Sequence, residues 1–330
     1  MSSPPRILVM TTGGTIASAL DSSGRSLSGA LPGDALMKNV ALPETLRARV
    51  DVISVLQKPS NAISRADLVA LREQCLDAMA DPGVQGIVIT HGTDTLEDTA
   101  FFLDLTLPSH KSVVITGSQR PPHQAGTDAF TNLGDAIRVA AAEQARGLGT
   151  LVVFNQSLFA ARQVRKVSTY QLDGFAAPAA GPVGQVDGEN LLLLQRPVDH
   201  QVFELPSQAQ LPRVDIVPAY LDASPALLEC AIDNGAAGIV IDALGRGHVP
   251  PDWMPAVRDA TSQGFPVLVT SSCLSGPLHQ SYEFSGSLVD LCQAGVLPVS
   301  GLGARKARIA LSVLLASDTP PAAALDALTH

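Results

Sequence analysis

Short apolar runs alternate with longer amphipathic stretches through the first half of the chain. The apolar runs are rich in β-branched residues and predict strands, while apolar residues that recur every three to four positions predict helices. Because strands alternating with helices of this length form βαβ units, we expect a parallel sheet. The predicted strands are 7–12, 50–56, 85–90, 112–116 and 149–154, and the predicted helices are 64–80, 95–106 and 127–145.

The alternation stops at a polar, proline-bearing stretch and then resumes. A chain of 330 residues is long enough for two domains. We therefore predict an α/β fold with a larger N-terminal domain at 1–195, a linker at 196–213 and a smaller C-terminal α/β domain at 214–330. The larger domain should hold a mostly parallel sheet with helices on both faces. In the second half, strands are predicted near 213–217, 237–241 and 266–270, and helices near 224–235, 252–263 and 304–317.

The composition is that of a globular, acidic protein. Apolar residues make up 46% of the chain but aromatic residues only 4%, so aliphatic side chains must fill the core. A formal net charge of −9 without a basic stripe argues against a nucleic-acid binder. No apolar run reaches the ~20 residues of a membrane-spanning helix. The N-terminus also lacks the pattern of a signal peptide, so we expect a cytoplasmic protein.

The four cysteines show neither C-x-x-C pairing nor the spacing of metal ligands. Each lies in an apolar stretch of sequence, so we expect buried, free thiols. They are Cys75, Cys230, Cys273 and Cys292.

A hydroxyl-rich loop follows the first predicted strand. It reads Thr-Thr-Gly-Gly-Thr-Ile-Ala over residues 11–17, and its glycines allow the backbone to approach a ligand closely. Thr15 offers a hydroxyl at a strand's carboxyl end, where open α/β sheets bind ligands. Such a hydroxyl becomes a nucleophile when a neighbour takes its proton. The same pattern is common in a Gly-Gly turn with a threonine cap. A phosphate loop is disfavoured, because its lysine and glycine spacing are absent.

A second such loop, Thr-His-Gly-Thr-Asp-Thr-Leu-Glu-Asp, follows the third predicted strand at residues 90–98. Thr93 supplies another hydroxyl, and Asp94 supplies a carboxylate that suits a substrate ammonium group. Asp94 and Glu97 also have the spacing of a capping box for the next helix. The two interpretations are compatible. His91 is predicted to be a structural histidine.

The two loops together resemble the signature motifs of the bacterial-type L-asparaginase/glutaminase family. The resemblance extends over nearly the whole chain, to Arg-Lys-Ala-Arg at 305–308. It implies that Thr15 is the nucleophile. It also implies that Thr93 and Asp94 form a second catalytic pair, completed by Lys166. The alternative for Lys166 is a surface lysine in a basic run.

The same resemblance implies a set of substrate-binding residues. Ser60 matches the residue that binds the substrate carboxylate, and Asn61 stands where relatives carry Gln or Glu. Glu283 matches a glutamate that reaches the neighbouring subunit's active site. Arg246 replaces an asparagine of the better-known relatives, which puts the substrate preference in question.

The loop after Thr15 lacks the tyrosine that helps to activate the nucleophile in relatives. Residues 18–29 contain no tyrosine, and the chain's tyrosines are Tyr170, Tyr220 and Tyr282. Our hypothesis is that Ser28 or a water molecule substitutes, or that Tyr282 approaches from elsewhere.

The resemblance as a whole implies an L-asparaginase that hydrolyses L-asparagine to L-aspartate and ammonia through a threonine acyl-enzyme. It implies a homotetramer with active sites shared between subunits, and neither a metal nor an organic cofactor. The alternatives are a glutaminase-asparaginase, an amidohydrolase of another small amide, and a non-catalytic asparagine-binding protein. A subunit of a tRNA-dependent amidotransferase is disfavoured by the acidic charge. A dinucleotide-binding module is disfavoured by the missing glycine fingerprint.

Overall fold

The computed structural model of the chain describes residues 5–21, 23–27, 29, 31, 33–47, 49–197, 201–317 and 319–324. Two compact units follow one another, the first ending at Val202 and the second beginning at Phe203. Phe203, Leu205 and Leu211 are buried, so part of the proline-bearing stretch packs as structure.

An eight-stranded sheet forms the centre of the first unit. Its strands are β1 (Arg6–Gly13), β4 (Val50–Lys58), β5 (Val84–Thr90), β6 (Ser112–Thr116), β7 (Thr150–Phe154), β8 (Ser157–Ala160), β11 (Gly184–Asp187) and β12 (Asn190–Leu193). Their order in the sheet is β12-β11-β8-β7-β6-β5-β1-β4. The pairs from β4 through β1, β5 and β6 to β7 are parallel, whereas β8, β11 and β12 add an antiparallel edge.

Two short hairpins lie outside this sheet, and helices connect its parallel strands. The hairpins pair β2 (Ala19–Leu20) with β3 (Ser26–Leu27) and β9 (Arg165–Lys166) with β10 (Phe175–Ala176). The helices of the first unit are α1 (Gly33–Met37), α2 (Glu44–Arg47), α3 (Arg65–Ala80), α4 (Leu96–Thr106) and α5 (Ala129–Ala141).

Helices cover both faces of the sheet because its strands alternate their apolar side chains between the faces. Ile7 and Val9 of β1 belong to the same core cluster as Leu133 of α5. Met10, on the opposite face of β1, contacts Cys75 of α3. The larger domain is thus a mostly parallel sheet covered on both sides, as the sequence predicts.

The second unit is a smaller α/β layer structure. Its four strands are parallel and follow chain order in the sheet. A buried cluster that includes Trp253 and Leu288 packs on one face, and the helix at Ala304–Ala316 contacts the sheet as well. The elements are β13 (Val214–Pro218), α6 (Ala226–Asp233), β14 (Gly238–Ala243), α7 (Met254–Ser262), β15 (Val267–Ser271), α8 (Leu288–Gln293), β16 (Leu297–Pro298) and α9 (Ala304–Ala316).

The predicted strands and helices are present, with ends that differ by a few residues. Helix α3 begins after Ser64, whose side chain accepts from the Asp67 N–H in a capping box. Helix α5 is shorter than predicted, because a 3-10 turn at Glu143–Ala145 replaces its end. The antiparallel edge and the hairpins were not predicted, since their strands have only two to four residues.

The cysteine prediction is partly wrong. All four cysteines are free and Cys75 is buried, but Cys230 and Cys273 are exposed and Cys292 is half-buried. An apolar stretch of sequence does not show which side of a helix or loop faces solvent. None of the helices in the described part of the chain has the length and apolar character needed to cross a bilayer.

Helix α5 crosses β5 at Gly86, and this contact leaves no room for a side chain. A methyl group on Gly86 would lie 2.3 Å from the Ala140 carbonyl oxygen. We expect Gly86→Ala to lower the free energy of unfolding by about 1–3 kcal/mol through overpacking, measured by urea unfolding.

Gly83→Ala is the matched control, because the nearest atom to its methyl group is Oδ1 of Asp81 at 3.1 Å, the end of a side chain. Its unfolding free energy should stay within about 0.5 kcal/mol of wild type. Equal losses in both variants would contradict the proposed helix–strand contact.

Candidate functional site

The centre of the first sheet is a crossover point. Strand β1 lies between β4 and β5, so the chain leaves β1 for one neighbour and returns through α3 to the other. In open α/β sheets, ligands bind at the carboxyl ends of strands where the connections diverge in this way. The loops after Gly13, Lys58 and Thr90 all begin at this edge.

The backbones of the first and second loops touch through two glycines. A methyl group on Gly14 would lie 2.4 Å from Cα of Gly92. Gly14 also has a φ of +81°, a conformation that L side chains rarely adopt. Because each glycine directly precedes a predicted catalytic threonine, their contact brings the backbones of Thr15 and Thr93 together.

Hydroxyl groups tie the loops to one another. Thr12 Oγ1 donates to the Thr90 carbonyl oxygen at 2.8 Å, linking β1 to β5. Thr95 Oγ1 donates to the Ser60 carbonyl oxygen, also at 2.8 Å, linking the second loop to the loop after β4. A methyl group on Gly92 would lie 2.7 Å from Ser60 Oγ. The loops carrying Thr15, Ser60 and Thr93 therefore converge at one site.

Thr15 begins a 3-10 turn that ends at Ala17. Gly14 occupies the N-cap position and no side chain caps the turn, so the alternative of a capping threonine is wrong. Thr15 itself is half-buried.

Lys166 reaches this site from the β9–β10 hairpin. Its Nζ donates to Thr93 Oγ1 at 2.7 Å and to Asp94 Oδ1 at 2.8 Å. The Lys166 side chain is 15% exposed, whereas that of Asp94 is 68% exposed. The alternative of a surface lysine is therefore wrong. The geometry of Thr93, Asp94 and Lys166 suits the handling of a proton or a water molecule beside the loop of Thr15.

The Asp94 and Glu97 carboxylates do not form the predicted capping box. Helix α4 begins at Leu96 with Thr95 at the N-cap, and the N-cap side chain makes no capping bond. Glu97 Oε2 instead accepts the backbone N–H of Lys166 at 2.6 Å. Both acids of this motif therefore bind the same distant lysine.

His91 is a buried histidine with both ring nitrogens hydrogen-bonded, which agrees with the predicted structural role. Its Nδ1 lies 2.7 Å from the Gly92 carbonyl oxygen and its Nε2 lies 2.9 Å from Thr99 Oγ1. Because a carbonyl oxygen only accepts, Nδ1 carries the proton and Nε2 accepts from the threonine hydroxyl. Desolvation by burial lowers the pKa of His91, although its bond to Gly92 and the charge of Asp98 oppose this.

The remaining predicted residues lie in different surroundings. Ser60 is buried and Asn61 is exposed at the short turn after β4. Glu283 is an exposed residue of the second unit. Arg246, in the same unit, donates to Ser281 Oγ at 3.1 Å. Ser28 lies outside the described residues.

Tyr282, the other candidate for the missing loop tyrosine, belongs to the second unit. The residue is 55% exposed, and its ring meets that of His248 edge-on, with the ring centroids 5.7 Å apart.

The sequence did not predict the residues that hold the segments of the site together. Thr12 and Thr95 are ordinary loop threonines in sequence, and Glu97 fits a helix start. Gly117, after β6, packs on the second loop, since a methyl group there would lie 2.5 Å from the His91 carbonyl oxygen. The position of Gly117 directly after a predicted strand could have indicated a close backbone contact. The hydrogen-bond partners of Thr12 and Thr95 could not be predicted from the spacing of residues in the sequence. In the described part of the chain, no group of three or more His, Cys, Asp or Glu could hold a metal ion.

Known families and structures match both units. The family model described as "Asparaginase, N-terminal" matches residues 6–199, and "Glutaminase/Asparaginase C-terminal domain" matches residues 213–327. An L-asparaginase from Bacillus licheniformis is 41% identical over 94% of this chain and 96% of its own. A glutaminase-asparaginase from Pseudomonas fluorescens biotype A is 32% identical over 82% of this chain and 76% of its own.

A solved structure is similar as well. The crystal structure of a probable cytoplasmic L-asparaginase from Campylobacter jejuni has a TM-score of 0.86 and 27% identity, covering 98% of this chain and 99% of that chain.

The buried His91 predicts a pH-dependent stability. Because the pKa of His91 is lowered by folding, the unfolded chain binds a proton at His91 below about pH 6.5 more readily than the folded chain does. The unfolding free energy should therefore fall below that pH by up to about 1.4 kcal/mol per pH unit. His91→Gln has no imidazole to protonate, so its unfolding free energy should not show this fall. The difference in unfolding free energy between wild type and His91→Gln, measured by urea unfolding, should therefore become smaller as the pH is lowered from 7.5 to 5.5. A deficit that stays constant over this range would contradict the assignment.

Proposed function

Because the chain belongs to the asparaginase/glutaminase family, we propose that it is an L-asparaginase, an amidohydrolase that converts L-asparagine to L-aspartate and ammonia. The observation that carries this proposal is that Lys166 binds Thr93 and Asp94, two residues of the loop that packs against the loop of Thr15. The 41% identity to the Bacillus licheniformis L-asparaginase over nearly the whole chain supports the same substrate.

In the first proposed step, Thr15 is the nucleophile. Its Oγ1 forms a bond to the carboxamide carbon, the carbon–nitrogen bond breaks, and the threonine proton leaves with the nitrogen as ammonia. Backbone N–H groups at the carboxyl edge of the sheet are suited to hold the negative oxygen of the tetrahedral intermediate. The product of this step is an ester on Thr15.

In the second proposed step, water cleaves that ester and restores the Thr15 hydroxyl. Thr93 Oγ1 accepts a hydrogen bond from Lys166 Nζ, so the threonine's own proton is directed to another acceptor. We assign Thr93, Asp94 and Lys166 to the orientation of the attacking water. The flexible lysine acts from a fixed position because two partners hold its Nζ.

The proposed substrate, L-asparagine, carries its ammonium and carboxylate groups at the end opposite the side-chain amide that reacts. We propose that Ser60 holds its carboxylate and that Asn61 and Asp94 hold its ammonium group. The Asp94 side chain is 68% exposed, and its Oδ1 accepts from Lys166 Nζ. A glutaminase-asparaginase is the second candidate, favoured by the Pseudomonas fluorescens relative of that name.

The first test is ammonia release from L-asparagine and L-glutamine by purified wild type and Thr15→Ala. We expect turnover of asparagine above glutamine, and a loss of at least about 10³-fold in kcat when the nucleophile is removed. Thr15→Ser is the matched control, because it keeps a hydroxyl and should retain measurable turnover. Comparable rates for both amides would identify a glutaminase-asparaginase.

Calorimetric titration with asparagine separates binding from turnover. Tight binding without any ammonia release by the wild type would replace the enzyme with an asparagine-binding protein. Full activity of Thr15→Ala would remove Thr15 as the nucleophile.

We also propose a homotetramer in which Glu283 completes the active site of a neighbouring subunit. The exposure of Glu283 is compatible with this role. Mixing inactive Thr15→Ala with inactive Glu283→Ala after reversible dissociation should then restore about a quarter of the wild-type activity, because half of the pairs are mixed and each has one intact site. Light scattering gives the subunit number. An active Glu283→Ala protein, or no recovery on mixing, would contradict the shared site.

A cytoplasmic location is the final part of the proposal. It is supported by the description of the Campylobacter jejuni relative as a probable cytoplasmic L-asparaginase. Cell fractionation tests it.

A further inference from the structure

Lys166 is hydrogen-bonded at two points, at its backbone N–H by helix α4 and at its side-chain ammonium group by the loop before α4. The Glu97 carboxylate accepts the Lys166 backbone N–H at 2.6 Å, while Thr93 and Asp94 accept from its Nζ at 2.7 and 2.8 Å. We propose that Glu97 is a positioning residue, whose carboxylate sets the backbone of Lys166 so that the ammonium group meets Thr93. This inference rests on the proposed role of Thr93 and Lys166 in catalysis.

The direction of the Lys166 N–H follows from the pairing of the hairpin. Val167 N donates to the Gly174 carbonyl oxygen, so this N–H points toward β10. Successive N–H groups of an antiparallel strand point to opposite sides. The Lys166 N–H therefore points away from β10, where Glu97 accepts it. Without that acceptor, the hydrogen-bond ladder of this hairpin offers this donor no partner.

The surroundings of Glu97 suit a negative charge. Its side chain is buried, with the residue only 4% exposed, and it lies in the first turn of α4. The positive end of a helix dipole stabilises an anion in that position. A hydrogen bond from an N–H to an ionised carboxylate is shorter and stronger than one to a neutral acceptor. The observed 2.6 Å separation fits such a bond.

The hairpin alone gives Lys166 little support. Strand β9 has only two residues, and the lysine side chain is a flexible four-carbon stem that must be ordered. Displacements of about 1 Å at a catalytic group can cost about 10²-fold in rate. Fixing the backbone of Lys166 therefore limits the volume that its Nζ explores. Glu97 acts through Lys166 and is not proposed to touch the substrate.

The first experiment compares two buried acids on the same helix. Asp104 Oδ1 accepts the Thr150 N–H at 2.7 Å, and Asp104 is 6% exposed, so its structural role resembles that of Glu97 without Lys166. Glu97→Ala and Asp104→Ala should both lower the melting temperature. Glu97→Ala should also lower kcat for asparagine by about 10–100-fold with a smaller effect on KM, whereas Asp104→Ala should keep kcat within about 2-fold of wild type.

A double-mutant cycle separates positioning from general loss of stability. Lys166→Met should lower kcat by about 10²–10⁴-fold, and adding Glu97→Ala to it should cause little further loss, because the group that Glu97 positions is already gone. Glu97→Gln keeps an acceptor without the charge and should fall between wild type and Glu97→Ala. It also serves if Glu97→Ala fails to fold.

A spectroscopic measurement tests the same contact without relying on turnover. The chain has five lysines, Lys38, Lys58, Lys111, Lys166 and Lys306, so labelling with doubly ¹⁵N-substituted lysine gives a simple NMR spectrum. The Lys166 signals are identified by their absence in Lys166→Met. Its backbone N–H should lie downfield in wild type and move upfield in Glu97→Gln, and its ammonium signal should broaden as Nζ loses its position.

The outcomes separate this inference from the proposed function. Wild type that releases no ammonia, with Lys166 signals that shift as described, would overturn the asparaginase proposal and leave the positioning contact supported. Active wild type with additive losses in the cycle, or with Lys166 signals unchanged in Glu97→Gln, would overturn the positioning role. Equal loss of kcat in Glu97→Ala and Asp104→Ala would overturn it as well.

Discussion

The close approach of Gly14 to Gly92 is the constraint on which the site depends. A side chain at Gly14 would meet the backbone of Gly92 at 2.4 Å, so the two loops can touch only through glycine. This contact is possible because β1 lies beside β5 and both strands end at the same edge of the sheet. The residues that follow the glycines, Thr15 and Thr93, are thereby brought to one place by backbone packing.

Lys166 completes the arrangement from a different part of the chain. The hairpin that carries it is short, and its position relies on acceptors from the second loop and from α4. A catalytic lysine on a flexible stem needs such restraint, since a mobile ammonium group spends little time in a productive geometry. Asp94 binds the side-chain ammonium group of Lys166, and Glu97 binds its backbone N–H. The spacing of these two acids is compatible with a helix cap, but in the structure both of them make tertiary contacts with Lys166.

The parallel core was predictable because its strands are long, apolar and separated by helices with clear periodicity. The antiparallel strands β8, β11 and β12 were not, because four residues carry too little pattern to be recognised. The exposed positions of Cys230 and Cys273 show the same limit, since apolar neighbours in sequence do not define the side that faces solvent. The predicted site residues of the first unit were recognised by resemblance, but their contacts were not.

The sequence by itself determined the fold class, the two glycine–threonine loops and the residue types available for chemistry, because these follow from local periodicity and from motifs of a few residues. Only the tertiary structure decided that Gly14 rests on Gly92, that Thr95 bonds to Ser60, and that Glu97 holds Lys166. These contacts join residues that are between 35 and 78 positions apart in the chain. Hydrogen-bond partners at such separations are selected by strand order and by the packing of the loops, and neither of these can be predicted from the spacing of residues along the chain.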